Sequence, residues 1–288
     1  MYIYVDGEIV NKEAAKISPF DHGFLYGAGL FETFRVYDGH PFLLGDHLMR
    51  LQKGLDDLQI SYKLIHHEIM TILQELLIVN QLKDACIRLN ISAGIEELGL
   101  PSEEYHNPSM IMFIKKIPNF NGEKEAVILQ TTRNTPEGTF RLKSHHFLNN
   151  LYGKREVGNK PNVEGVFLTK EGYIAEGITS NVFWIKGNTL YTPSIHTGIL
   201  NGITREFILN IASRVELTVN EGFFKVEELM NCHEAFITNS IQEIVPLSKI
   251  NDRLLPGKKG AITNRMQSIY AQFKTKLWSV EELNEGIG

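Results

Sequence analysis

Apolar residues recur at Leu48, Leu51, Leu55 and Leu58, then at Ile65, Ile69, Ile72, Leu73, Leu76 and Leu77. This spacing predicts two amphipathic helices, the first opening at Asp46. The flanking segments 30–37, 85–93 and 109–116 are strand-like, and Asp38-Gly39 marks a turn after the first of them. Residues 2–10 read as a hairpin about Asp6-Gly7, a pair suited to a tight turn. The first half is thus predicted to be two helices on a small sheet. Turn formers then cluster in Ile117-Pro118-Asn119-Phe120-Asn121-Gly122. The expected division is a domain over 1–118, a linker over 119–124 and a second domain over 125–288.

The second half alternates differently. A strand is expected at Ala126–Thr132, a helix after Lys143, and short β runs at 163–169, 173–176, 181–185 and 189–191, with turns at Glu171-Gly172 and Gly187-Asn188. Helices follow at about 204–215 and 260–277, the latter with Ile262, Met266, Ile269, Tyr270 and Phe273 on one face. The order is α+β in both halves, without internal repeats.

Composition narrows the function classes. A 288-residue chain that is 43% hydrophobic can build real cores. Its net charge of −5 argues against broad nucleic-acid or anionic-membrane binding. Cys86 and Cys232 lie far apart without paired spacing, which fits a reduced compartment. The N-terminal residues carry no basic segment followed by an apolar one, and no apolar run approaches the roughly 20 residues of a membrane span. The expected location is cytoplasmic. His66-His67 and His145-His146 are adjacent pairs rather than ligands at metal-binding spacing, so no metal site is expected. No P-loop or dinucleotide fingerprint follows a predicted strand.

Three motifs carry candidate chemistry. Lys143 follows the polar loop Asn134-Thr135-Pro136-Glu137-Gly138-Thr139, from which an amine can project into a cleft where desolvation or a neighbouring cation activates it. Glu176 ends a hairpin strand just before a Thr179-Ser180-Asn181 run. Asn201-Gly202-Ile203-Thr204 precedes the apolar run Phe207, Ile208, Ile211, Ala212 and Val215, and so opens a helix whose free amides suit a phosphate. Each has a blander alternative: a solvated lysine, a hairpin-edge charge, a simple helix cap. Arg50 shares a helix face with Asp46 and His47 and offers either a phosphate fork or a solvated ion pair. An amine, a carboxylate and an anion site together are what a protein needs to hold pyridoxal phosphate.

The motifs in this order resemble the fold-type IV pyridoxal-phosphate enzymes: branched-chain aminotransferases, D-amino-acid aminotransferases and 4-amino-4-deoxychorismate lyases. The resemblance runs through the segment from Asp21-His22-Gly23 to Phe31-Glu32-Thr33-Phe34-Arg35, His47-Leu48-Met49-Arg50, Lys143, Glu176 to Asn181, and Gly202-Ile203-Thr204-Arg205. It implies a small N-terminal α/β domain and a larger C-terminal domain with a pseudo-barrel β core. It further implies Lys143 as the Schiff-base lysine, Glu176 as partner of the pyridine nitrogen, and Arg50, Ile203 and Thr204 at the phosphate, with Thr179, Ser180 and Asn181 in the cofactor-side loop. A homodimer acting on a small-molecule substrate is implied as well.

Within the group, Ser92-Ala93-Gly94-Ile95-Glu96-Glu97-Leu98 lacks the arginine and histidine with which D-amino-acid enzymes trap a carboxylate. Branched-chain enzymes typically read Phe-Glu-Gly where this chain has Phe31-Glu32-Thr33, and Asn-Tyr where it has His145-His146-Phe147-Leu148. The hydroxyl at Thr33 and the run Arg141-Leu142-Lys143-Ser144-His145-His146 look most like lyases of Gram-positive type. That resemblance implies conversion of 4-amino-4-deoxychorismate to 4-aminobenzoate and pyruvate in folate biosynthesis. Thr33 would then serve as a proton relay, and Arg35, Arg88, His145 and His146 are candidates for the substrate carboxylates. It also allows functional coupling to aminodeoxychorismate synthase, which would supply the substrate. The alternatives are a branched-chain or D-amino-acid aminotransferase and, more remotely, a non-catalytic pyridoxal-phosphate-binding protein.

Overall fold

The computed structural model describes residues 1–119 and 122–283, so Phe120 and Asn121 of the expected linker lie outside the described residues. The chain divides into two compact units. Met1–Pro118 forms the first together with Leu142–His146 and the chain from Lys274 onward; Asn119–Arg141 and Phe147–Phe273 form the second.

In the first unit the elements are β1 (Tyr2–Val5), β2 (Glu8–Asn11), α1 (His22–Leu25), β3 (Gly29–Tyr37), β4 (His40–Pro41), α2 (Leu44–Asp57), α3 (His66–Val79), β5 (Ala85–Ser92) and β6 (Ser109–Lys115). The strands form one antiparallel sheet in the order β2-β1-β6-β5-β3-β4. Asp6 and Gly7 both take positive φ (43° and 101°), the geometry of a tight hairpin turn that Asp-Gly adopts readily. Leu48, Leu51 and Leu55 of α2 and Ile69, Leu73, Leu76 and Leu77 of α3 are buried in one core with Leu30, Phe34, Ile87, Leu89 and Ile91 of the sheet. The predicted apolar stripes are the faces that pack.

In the second unit the elements are β7 (Lys124–Ile128), α4 (Leu148–Val157), β8 (Val163–Leu168), β9 (Ile174–Gly177), β10 (Asn181–Lys186), β11 (Thr189–Pro193), α5 (Ile203–Ile211), β12 (Thr218–Gly222), α6 (Val226–Met230), β13 (Glu234–Asn239), β14 (Glu243–Ile250), β15 (Arg253–Leu254) and α7 (Ala261–Phe273). Their sheet runs β12-β11-β10-β13-β14-β7-β8-β9, with β15 paired to β14. Its two ends meet: Ile174 N donates to Phe224 O at 2.8 Å and Tyr173 bridges Lys225, just beyond β12. The sheet therefore curls almost into a barrel, as the pseudo-barrel expectation requires. One core gathers around Trp184, Val182, Ile237 and Leu247, and a second around Leu129, Phe167, Ala175 and Ile178.

Several boundaries differ from the sequence expectations. The strand expected at 126–132 starts at Lys124, which pairs in parallel with Leu247 of β14. The helix expected at 204–215 passes into a 3-10 turn at Ala212, and that expected at 260–277 ends at Phe273. No helix among the described residues is long and apolar enough to cross a membrane.

Candidate active site

Strand alternation sorts the chemistry of the first unit. Along β3, Leu30, Phe34 and Val36 belong to the core beneath α2 and α3. Glu32 shares their parity and meets α2: its carboxylate accepts from His47 Nδ1 at 2.6 Å and from Arg50 Nε and Nη2, each at 2.7 Å. Burial alone would raise the Glu32 carboxyl. The Arg50 guanidinium, His47 and their hydrogen bonds override it and hold the group at about 2. Burial pushes the His47 imidazole down, against the pull of Glu32. The cluster is therefore a carboxylate, a guanidinium and a neutral imidazole, and its charges balance. Asp46, on the same helix, accepts from Val280 N at 2.8 Å.

The opposite parity of β3 carries Phe31, Thr33 and Arg35. In register with it, β5 places Asn90 beside Phe31 and Arg88 beside Thr33. The Lys143 segment lies along β3 like a further strand: Phe31 N donates to Lys143 O at 2.9 Å, His145 N donates to Gly29 O at 3.0 Å, and Ser144 bridges Leu30. Lys143 Nζ sits 4.6 Å from the centre of the Phe31 ring, the Arg88 guanidinium 3.5 Å from it, and the His145 ring stacks at 6.4 Å. His145 can approach only because residue 29 is glycine; a Cβ there would come within 2.5 Å of the imidazole Cε1. Burial and then the Arg88 charge press the His145 imidazole down to about 4, so it is neutral near pH 7.

Lys143, Thr33, Arg88 and His145 thus gather about Phe31. Arg35 and His146 have other contacts: the Arg35 guanidinium lies 4.6 Å from the Tyr37 ring centre, and His146 packs on Gly27 with Nε2 3.1 Å from Tyr26 O.

In the second unit Glu176 is buried at the end of β9. Its Oε1 accepts from Arg133 Nε at 2.8 Å and lies 3.8 Å from Arg141 Nε, while Oε2 accepts from Leu200 N at 3.0 Å. Arg141 is anchored by Gly198 O at 2.5 Å and by Asn134 O. Burial and the charge of Arg133 lower Arg141 to about 10. Arg133 Nη1 donates to Asn149 Oδ1 at 2.6 Å.

The helix-opening motif forms as expected, since α5 starts at Ile203 after Gly202 with no side-chain cap. Its first amides are left for an external acceptor. Thr204 Oγ1 lies 3.3 Å from Ser240 Oγ, a residue that the sequence reading did not single out. Asn181 Nδ2 donates to Leu200 O at 2.9 Å, and its Oδ1 fills the space a Cβ on Gly202 would need. Ser180 Oγ is buried without a hydrogen-bond partner among the described residues, whereas Thr179 is exposed. Sequence reasoning also missed Phe31, Asn90, Arg133 and Leu200. For Asn90 there was a signal, a polar residue alternating with Leu89 and Ile91 in an otherwise apolar strand.

Comparison with known proteins gives a consistent background. Residues 29–250 match the family described as amino-transferase class IV. An aminodeoxychorismate lyase of Bacillus subtilis (strain 168) is 49% identical over 272 residues, covering 93% of each chain. A putative branched-chain-amino-acid aminotransferase of Methanocaldococcus jannaschii is 33% identical over 289 residues, 99% of this chain and 100% of that one. Among solved structures, the Escherichia coli branched-chain amino acid aminotransferase superimposes with a TM-score of 0.86 at 26% identity, over 95% of this chain and 94% of that one.

Proposed function

The chain belongs to the amino-transferase class IV family, which works with pyridoxal phosphate, and on that premise we propose that it is an aminodeoxychorismate lyase. It would convert 4-amino-4-deoxychorismate to 4-aminobenzoate and pyruvate. The observation that carries this reading is the 49% identity to the Bacillus subtilis lyase across 93% of both chains.

The residues present fit the cofactor. Glu176 is a buried carboxylate that accepts one hydrogen bond on each oxygen, which leaves acceptor capacity for the pyridine N–H. The uncapped start of α5, the Thr204 hydroxyl and the unpartnered Ser180 hydroxyl are donors of the kind a phosphate takes. We assign Lys143 to covalent attachment, Glu176 to the pyridine nitrogen, and Ile203, Thr204 and Arg50 to the phosphate, with Ser180 and Asn181 shaping the adjoining loop and Thr179 at its rim.

Bound pyridoxal phosphate supplies an electron sink for the bond broken at the amine-bearing carbon. Lys143 takes the proton from that ring carbon. The enolpyruvyl oxygen leaves the neighbouring carbon with the bonding electrons, and the ring becomes aromatic. Enolpyruvate becomes pyruvate on protonation at its methylene carbon. Thr33, on the parity of β3 that carries Phe31, is the proposed relay for that proton, drawing it from Lys143 because a threonine hydroxyl is a poor acid alone.

The proposal extends to a cytoplasmic homodimer in folate biosynthesis, functionally coupled to aminodeoxychorismate synthase. The test is to incubate purified protein with enzymatically generated 4-amino-4-deoxychorismate and assay both products, with Lys143→Ala as control. Equal amounts of 4-aminobenzoate and pyruvate, lost in the control, support the lyase. Amino-group exchange with branched-chain or D-amino acids and no 4-aminobenzoate would replace it by an aminotransferase.

A further inference from the structure

Among the described residues Arg88 has no carboxylate partner. Glu32 engages Arg50, whereas Arg88 makes one side-chain hydrogen bond, from Nε to Asn90 Oδ1 at 2.8 Å, and stacks on the Phe31 ring at 3.5 Å. It is half-buried, and burial alone lowers its pKa. A desolvated guanidinium whose Nε is already occupied presents its two terminal nitrogens as a fork, the geometry that grips a carboxylate with two parallel hydrogen bonds. Beside it, His145 Nε2 is buried and has no hydrogen-bond partner among the described residues. A buried polar atom without a partner is costly unless something arrives to meet it.

We propose that Arg88, seated on Phe31 and aimed by Asn90, grips the ring carboxylate of an aromatic amine substrate, with His145 Nε2 meeting the same carboxylate. This rests on the lyase reading for the identity of that substrate. Lys143 Nζ and the Arg88 guanidinium lie 4.6 Å and 3.5 Å from the centre of one aromatic ring, a spacing on the scale of a single small molecule. In 4-amino-4-deoxychorismate the amine and the ring carboxylate sit on opposite ends of a six-membered ring. Lys143 attends to the amine end and Arg88 to the acid end. Of the four candidate carboxylate ligands, the geometry thus selects Arg88 and His145 and adds Asn90 as the residue that positions Arg88.

The test uses the cofactor-loaded enzyme and reads binding through the change in the cofactor's visible absorbance. The probes are 4-aminobenzoate, its neutral isostere 4-aminobenzamide, and pyruvate. Arg88→Gln should weaken 4-aminobenzoate about 10- to 100-fold, the range for a charged hydrogen bond, and leave 4-aminobenzamide and pyruvate within about twofold. Arg88→Lys, which keeps the charge and loses the fork, should fall between. Wild-type absorbance of each variant before ligand is added establishes that it is folded and loaded. Unchanged 4-aminobenzoate affinity, equal weakening of acid and amide, or an effect confined to pyruvate would overturn the assignment. Failure of the lyase reading looks different: the wild type would form no 4-aminobenzoate from 4-amino-4-deoxychorismate, whatever Arg88→Gln does to the binding of the probes.

Discussion

Two buried carboxylates, one in each unit, are held by arginine in ways that differ in charge. Glu32 faces one guanidinium, in two parallel hydrogen bonds, and one neutral imidazole. Glu176 faces two guanidiniums, Arg133 at 2.8 Å and Arg141 at 3.8 Å, and one backbone amide. The first cluster sets one carboxylate against one guanidinium. The second sets two guanidiniums against one carboxylate, whose two oxygens accept one hydrogen bond each and keep room for a further donor. The balanced pair chiefly holds Arg50 in place, whereas the unbalanced one leaves its carboxylate room for a further donor. If this distinction is correct, the two glutamates should fail differently when altered.

The largest expected effect is on stability. Glu32→Gln strands the Arg50 charge in a buried site, and breaking such a pair costs about 3–5 kcal/mol. Urea unfolding followed by circular dichroism measures it. A loss below about 1 kcal/mol would mean that the cluster is solvated and the contrast false. Glu176→Gln should instead appear chiefly in turnover, with a drop of about 100- to 1000-fold, the scale of removing one fixed electrostatic partner from a reacting centre. Affinity of the apoprotein for pyridoxal phosphate should fall with it. Turnover within about threefold of wild type would remove Glu176 from the machinery.

Acid sharpens the contrast, because two histidines and one carboxylate of the first unit have lowered pKa. His47 and His145 are pushed below the usual 6.5, and Glu32 lies at about 2 against 4.5. A group whose pKa is lower folded than unfolded contributes stability above its unfolded value and loses it as pH falls. Stability should therefore decline below about pH 6.5 as the histidines protonate, and again below about pH 4.5 through Glu32. His145→Gln should flatten the stretch between 6.5 and 4, by about 2–3 kcal/mol from the size of that shift. Urea midpoints across pH read it directly, and an unchanged slope in the variant would show that His145 titrates alike folded and unfolded.

What the sequence made legible follows from the range of each signal. The helices carrying His47 and Arg50 were visible because Leu48, Leu51 and Leu55 repeat within a few residues. Strands β12 to β15 were not. Pro246 interrupts β14 where a strand would ordinarily be dismissed, and it is tolerated opposite Phe236 in β13. Lys143, Glu176 and Thr204 were singled out through motif resemblance. Phe31 and Asn90 beside them were not, because they come to Lys143 through strand pairing over more than fifty residues of sequence. Arg133 and Arg141 sit in a loop that reads as polar and solvated, yet both side chains are largely buried, at 7% and 8% exposure. Only the fold distinguishes a buried arginine from a surface one.

Arg141 gives the finest test of the comparison. On its own it touches Glu176 at long range and is fixed chiefly by Gly198 O and Asn134 O, so Arg141→Gln should cost about 1 kcal/mol of stability. Turnover should change by less than about tenfold, since Arg133 still holds the carboxylate. In a Glu176→Gln background the sign should reverse. With the carboxylate gone, Arg133 and Arg141 are two buried like charges, and removing one relieves their repulsion. The double variant should then be about 1 kcal/mol more stable than Glu176→Gln alone, a coupling measurable by a double-mutant cycle on urea unfolding. Additive losses would mean that Glu137 or solvent already neutralises the surplus charge, and that the two glutamate sites differ in their partners but not in their electrostatics.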